Sequence, residues 1–134
     1  MTYCVGIKTH AGLVFLSDSR TSAGMDSIAS FRKALVYEQP GERFMTLLSA
    51  GNLSISQCVR EILQSEKLPA EDGGEPLTIW NARSMYDAAR VLGEAIRRVR
   101  ARDGAALAQD NIEFNASFIF GGQIKGEPMR LFLV

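Results

Sequence analysis

Position 2 of this sequence is a threonine, Thr2, and removal of the initiator Met1 in front of its small side chain leaves a free α-amino group beside its own hydroxyl. An α-amino group ordinarily titrates at about 7.7 to 8.0. Near neutral pH a useful fraction is therefore unprotonated and able to take up the hydroxyl proton, so one residue supplies both nucleophile and base. Many cytosolic proteins carry Thr or Ser in second place, so Thr2 by itself says little. Further along lie Ser17-Asp18-Ser19-Arg20, then Lys33, then Ser49-Ala50-Gly51-Asn52.

Other chemistries fall away quickly. The sequence has a single histidine, His10, in a turn-like stretch with no serine or cysteine motif around it, which argues against a histidine-based triad. No GxSxG, P-loop, HExxH or GxGxxG pattern occurs, and no carboxylates cluster at metal-ligand spacing. Cys4 and Cys58 form no CxxC or Cys/His spacing and read as small buried apolar residues. Fifteen basic and 15 acidic residues cancel, leaving no electrostatic footprint for nucleic acid or an anionic membrane. The run Arg97, Arg98, Arg100, Arg102 falls at the end of an expected helix, where cations complement the helix dipole and face solvent.

Thr2, the Asp18-Ser19-Arg20 step, Lys33 and the glycine-bearing turn at Gly51 together resemble the proteasome beta subunits and their bacterial relatives. The runs Met1-Thr-Tyr-Cys-Val-Gly-Ile, Gly12-Leu-Val-Phe-Leu-Ser-Asp-Ser-Arg-Thr and Phe31-Arg-Lys are most similar to the ancestral beta subunit family. The resemblance covers essentially the whole chain. It implies catalytic roles for Thr2, Asp18, Lys33 and Gly51. The Lys33 ammonium would favour the developing alkoxide of Thr2, and Asp18 would hold that lysine charged and aimed. Gly51 would turn its N–H toward the oxyanion at a helix start. The family binds substrate as an added strand, which maps here to Arg20, Thr21 and Ser22 on one side and Ala50 and Gly51 on the other. The segment from Gly24 to Ser30 would lie near the specificity pocket, with Met25, Phe31 and Met45 read as core. Taken singly, each group also has an ordinary structural use. Asp18 with Arg20 would make a turn ion pair, Lys33 an exposed strand lysine, and Gly51 a helix-start turn. All of them in register carry the functional reading.

The elements that must position these residues begin as short strands. Apolar and β-branched runs at Tyr3 to Lys8, Leu13 to Leu16, Lys33 to Tyr37 and Phe44 to Ser49 are bounded by turn residues, with reversals at Thr9-His10-Ala11-Gly12 and Pro40-Gly41. Four strands are expected before any helix. The period then changes: Ile55, Val59, Ile62 and Leu63 make one stripe of a helix from about Leu53 to Ser65. A second helix is expected from a Ser84 cap, with Asp87 reaching back, to about Arg102, its face formed by Met85, Ala89, Leu92, Ile96 and Val99. Both amphipathic helices should pack on the sheet and on one another. Strand composition returns at Phe114 to Gly121 and Met129 to Val134.

With 134 residues, 46% hydrophobic and 22% charged, the chain has the make-up of one ordinary folded domain, residues 1–134. It shows neither a secretory leader nor a long apolar run, so a cytoplasmic protein with no membrane or nucleic-acid partner is expected. The resemblance implies an α+β fold, the N-terminal-nucleophile hydrolase αββα sandwich of antiparallel sheets. It also implies a longer chain, so the domain is expected to be incomplete at its C-terminal end. The family's later serine and aspartate, which orient the N-terminal amine, would lie beyond Val134. A sheet ending at Arg130-Leu-Phe-Leu-Val should offer an apolar edge for assembly. The implied activity is threonine-type hydrolysis of a peptide or amide through an acyl-enzyme, with no metal or cofactor, in a homo-oligomer that forms a ring or open helical ring. The alternatives are an inactive assembly subunit and a small-molecule amidase of the same mechanism.

Overall fold

The computed structural model of the chain describes residues 2–22, 28–30, 32–65, 67, 69 and 73–134. Met25 and Phe31 lie outside the described residues. The contacts divide the chain into two compact units, residues 1–51 with 117–134, and residues 52–116.

The first unit opens with a hairpin of β1 (Cys4–Lys8) and β2 (Leu13–Ser17), paired antiparallel from Cys4↔Ser17 to Lys8↔Leu13. Thr9 closes the turn. Its N–H donates to the Gly12 carbonyl at 2.9 Å, and its hydroxyl oxygen accepts from the N–H groups of Ala11 and Gly12. This side-chain substitute for a backbone turn explains why a polar four-residue link suffices. Two short strands follow that period-2 alternation did not reveal, β3 (Arg20–Ser22) and β4 (Ile28–Ser30), paired Arg20↔Ser30 to Ser22↔Ile28. Among the described residues six strands therefore precede the first helix rather than the expected four. Three residues are too few to show a period, and pairing rather than patterning defines both strands.

The main sheet runs β5 (Ala34–Gln39), β6 (Arg43–Gly51), β7 (Ala116–Ile124), β8 (Arg130–Leu133) in that order. The β5–β6 reversal has Gly41 at φ +77° and closes with Glu42 N–H donating to Gln39 O at 2.9 Å, as Pro40-Gly41 led one to expect. β7 reaches Ile124, beyond the expected end at Gly121, because Gly122 is a place of close approach rather than a turn. A Cβ there would sit 2.1 Å from Phe44 O, so only glycine lets β7 and β6 meet. β8 stands at the end of that order. Tyr37, Met45, Leu47, Leu48, Phe118, Phe120 and Ile124 are buried, each contributing about 1.5 to 3 kcal/mol. Gly6 of β1 faces Ile119 and Leu131, and Phe15 of β2 meets Gly121, so the hairpin rests one face on β7 and β8.

In the second unit, α1 (Leu53–Ser65) has the expected bounds. Asn52 starts it by accepting the Ser54 N–H at 2.9 Å on its side-chain oxygen, and Ile55, Val59, Ile62 and Leu63 are all buried. α2 (Met85–Gln109) starts on Ser84, whose hydroxyl oxygen accepts the Asp87 N–H at 3.1 Å and whose O–H donates to the Asp87 carboxylate at 3.0 Å. The two helices pack on one another. α2 does not stop at Arg102. Ala105-Ala106-Leu107-Ala108 are strong helix formers, and they carry the helix through Gly104, which costs about 1 kcal/mol relative to Ala. Its buried face is Met85, Ala88, Val91, Leu92, Ala95 and Val99, whereas Ala89 and Ile96 sit half-buried at its margin. The arginine run is consequently mid-helix and cannot act on a helix end. Arg97 and Arg98 pair with Glu94, Arg102 with Asp103, and Arg100 lies over the Phe114 ring. Among the described residues no helix is long and apolar enough to cross a membrane.

Candidate active site

The hairpin register builds the site. Asp18 directly follows β2 and Tyr3 directly precedes β1, so the antiparallel ladder sets them opposite each other one step beyond Cys4↔Ser17. The Asp18 N–H donates to Tyr3 O at 3.0 Å, and the Tyr3 N–H donates back to Asp18 Oδ1 at 2.8 Å. The carboxylate is thereby pinned to the backbone immediately after Thr2, which is partly exposed.

Lys33 reaches the other carboxylate oxygen. Its Nζ lies 2.7 Å from Asp18 Oδ2 and also donates to the Arg20 carbonyl at 2.6 Å. The lysine side chain is only 7% exposed while that of Asp18 is 30% exposed, so the ammonium is withdrawn from water and the carboxylate stays in partial contact with it. A lysine this buried needs compensation for its charge, which the carboxylate and the carbonyl supply. The hydrogen bond from Lys33, and after it the one from the Tyr3 N–H, hold the Asp18 carboxyl below the ordinary carboxylate range. Asp18 thus works with Lys33, not as the turn partner of Arg20, and Lys33 is no exposed strand lysine.

Lys33 itself is placed by its backbone. It precedes β5, and its carbonyl accepts the Ser49 N–H at 3.1 Å, extending the β5–β6 ladder past Ala34↔Leu48. Ala50 and Gly51 carry β6 on beyond that point, ending with Gly51 at φ +99°, a dihedral that suits glycine and few other residues. Thr21 and Ser22 follow Arg20 along β3, which has β4 on one edge and no strand on the other among the described residues. Asp18, Lys33 and the Thr2-Tyr3 backbone are therefore brought together in the first unit, with Arg20 O on Lys33 and Ala50–Gly51 following Ser49.

Residue-type reasoning passed over Cys4. It is half-buried rather than buried, as is Cys58, and its Sγ lies 3.6 Å from Ser49 O. Burial raises its thiol pKa, the Asp18 charge raises it further, and the Lys33 charge opposes both. The signal was available in strand alternation, since Cys4 follows Thr2 by two residues.

No protein-family model matches the chain, and no curated protein does. Solved structures match it over its whole length. Against an Anbu (Gly-1) mutant from Hyphomicrobium sp. strain MC1 the identity is 45% and the TM-score 0.82, with 52% of that chain covered. For Anbu (ancestral beta-subunit) from Yersinia bercovieri the values are 42%, 0.80 and 52%, and for the helical assembly of the Anbu complex from Pseudomonas aeruginosa 42%, 0.82 and 53%. The chain spans about half the length of these relatives. The fold is α+β with antiparallel sheets, that of the proteasome-type N-terminal-nucleophile hydrolases. Within that class the chain belongs to the ancestral beta subunit (Anbu) family.

Proposed function

We propose that these 134 residues belong to one proteasome-like hydrolase domain, of which they are a part, and carry the nucleophile and its activating pair in a threonine-type peptide or amide hydrolase. The Lys33–Asp18 contact at 2.7 Å beside the Thr2-Tyr3 backbone carries this reading. The Thr2 hydroxyl attacks the substrate carbonyl carbon and passes its proton to its own α-amine. The ammonium of Lys33 lowers the cost of negative charge growing on the threonine oxygen. The Gly51 N–H stabilises the oxyanion of the tetrahedral intermediate. When the C–N bond breaks, the leaving amine takes the proton from the α-amine and the acyl group remains on Thr2 as an ester. Water then attacks that ester, giving a proton to the α-amine, which returns it to the departing Thr2 oxygen as the acid is released.

An extended substrate fits between the edge of β3 at Arg20–Ser22 that has no strand opposite β4 among the described residues and the end of β6 at Ala50–Gly51, which runs past its pairing with β5. Subunits assemble as a homo-oligomeric ring or open helical ring, a reading supported by the helical assembly solved for the Pseudomonas aeruginosa relative.

Intact-mass analysis after treatment with a β-lactone tests the mechanism. A single adduct on Thr2 is expected, with acylation at least about a hundredfold slower in Lys33→Ala. Retained Met1 would block the amine and remove the hydrolase reading, leaving the assembly subunit. Equal acylation in Lys33→Ala would remove the activating role of the lysine.

A further inference from the structure

The hydrogen bonds around the site form a closed ring through four separate stretches of chain. Tyr3 donates to Asp18, Asp18 accepts from Lys33, the Lys33 carbonyl accepts from the Ser49 N–H, and the Ser49 carbonyl faces the thiol of Cys4. Cys4 is bonded to Tyr3 along the chain, so the circuit returns to its start. Three links are made by backbone groups or by the Lys33–Asp18 pair. The remaining link is a side chain with no assigned part in the chemistry.

We propose that Cys4 is a positioning residue, whose Sγ–H donates to the Ser49 carbonyl and so ties the strand bearing Thr2 to the strand end that holds Lys33. The tie matters because the hairpin of β1 and β2 and the β5–β6 pair belong to different sheets, and among the described residues no ladder joins them. The Asp18–Lys33 bond crosses between these two sheets, as does the thiol. With Sγ in place the two crossings are braced from both sides, so the backbone that carries Lys33 cannot draw away from the β1–β2 hairpin and Asp18 without stretching the Cys4–Ser49 contact. The thiol suits the task chemically. Its pKa is raised by burial and by Asp18, so it stays protonated as a donor near neutral pH and does not compete with Thr2 as a nucleophile. The consequence for catalysis rests on the hydrolase reading, but the tie itself does not.

Cys4→Ser, Cys4→Val and Cys4→Ala in the full chain test it with two readouts. The first is the titration of the Asp18 carboxyl followed by carbon NMR, which reports whether Lys33 stays in place. The second is the rate of Thr2 acylation by the β-lactone. In Cys4→Val and Cys4→Ala the Asp18 titration is expected to move up toward the ordinary value of about 3.9, and acylation to slow about fivefold. Cys4→Ser keeps a donor and is expected to follow the parent in both. Unchanged Asp18 titration in Cys4→Val and Cys4→Ala overturns the proposal, and so does an equal rise in Cys4→Ser. A rise confined to the variants without a donor supports it even in a chain whose Thr2 takes no adduct, a result that would count against the hydrolase reading alone. If Cys4→Ala does not fold, the nearly isosteric Cys4→Val gives the reading.

Discussion

At the scale of single residues, Asp18 is where charge and folding meet. Its carboxyl titrates below the ordinary value because the folded chain offers the Lys33 ammonium and the Tyr3 N–H to its charged form. The unfolded chain binds that proton at higher pH than the folded one, so the stability Asp18 contributes is complete above about pH 3.9 and is lost as pH falls through its depressed value. Denaturant unfolding followed from about pH 6 to about pH 2 should show the parent losing more stability than Asp18→Asn across that acid range. Equal losses would mean that the pair is not linked to folding. Lys33 and Asp18 were legible as residue types in the sequence, and the family resemblance implied that they pair, but not what brings them together. Their separation of 2.7 Å depends on a hairpin register and on a backbone bond from Ser49, neither of which residue spacing specifies.

Among the elements, α2 shows what intrinsic propensity contributes. The second helix was expected to end at about Arg102, but the alanine-rich stretch behind it keeps the helix going to Gln109. Gly104 is then a helix-interior glycine, and a methyl group there would meet only Arg100 Cγ, at an ordinary 3.6 Å. Gly104→Ala is therefore expected to stabilise the protein by up to about 1 kcal/mol, measured as a shift in the denaturant midpoint at constant m-value. A turn glycine with positive φ would give loss instead. The β3–β4 pair went unread for the opposite reason: its strands are too short to show a period, and only their mutual pairing makes them strands.

For the whole molecule, the outer face of the first hairpin sets the expectation. Tyr3, Ile7, Val14 and Leu16 are 65%, 49%, 53% and 59% exposed, and the register puts Ile7 opposite Val14 and Leu16 opposite Val5 on that same face. An apolar surface of this kind favours association. Sedimentation velocity over a range of concentrations should show the parent chain self-associating, and the double variant Val14→Lys, Leu16→Lys should shift toward monomer. Unchanged association in that variant would place the contacts of the oligomer elsewhere.

The sequence by itself determined the family resemblance, the two helices, most of the strands and the identity of Thr2, Asp18, Lys33 and Gly51 as the groups to watch. These are properties of residue type and local period, and α1 keeps its expected bounds because a stripe of four apolar residues and an asparagine cap are both local. The resemblance implied that Asp18 holds Lys33; tertiary structure alone decided that Arg20 lends its carbonyl rather than its charge to that lysine, and that Cys4 closes the ring around them. The Lys33–Arg20 and Cys4–Ser49 contacts join stretches at least 13 residues apart and end on backbone carbonyls, which every residue type possesses. A pattern of side chains therefore cannot announce them, and only strand register brings them within hydrogen-bonding distance.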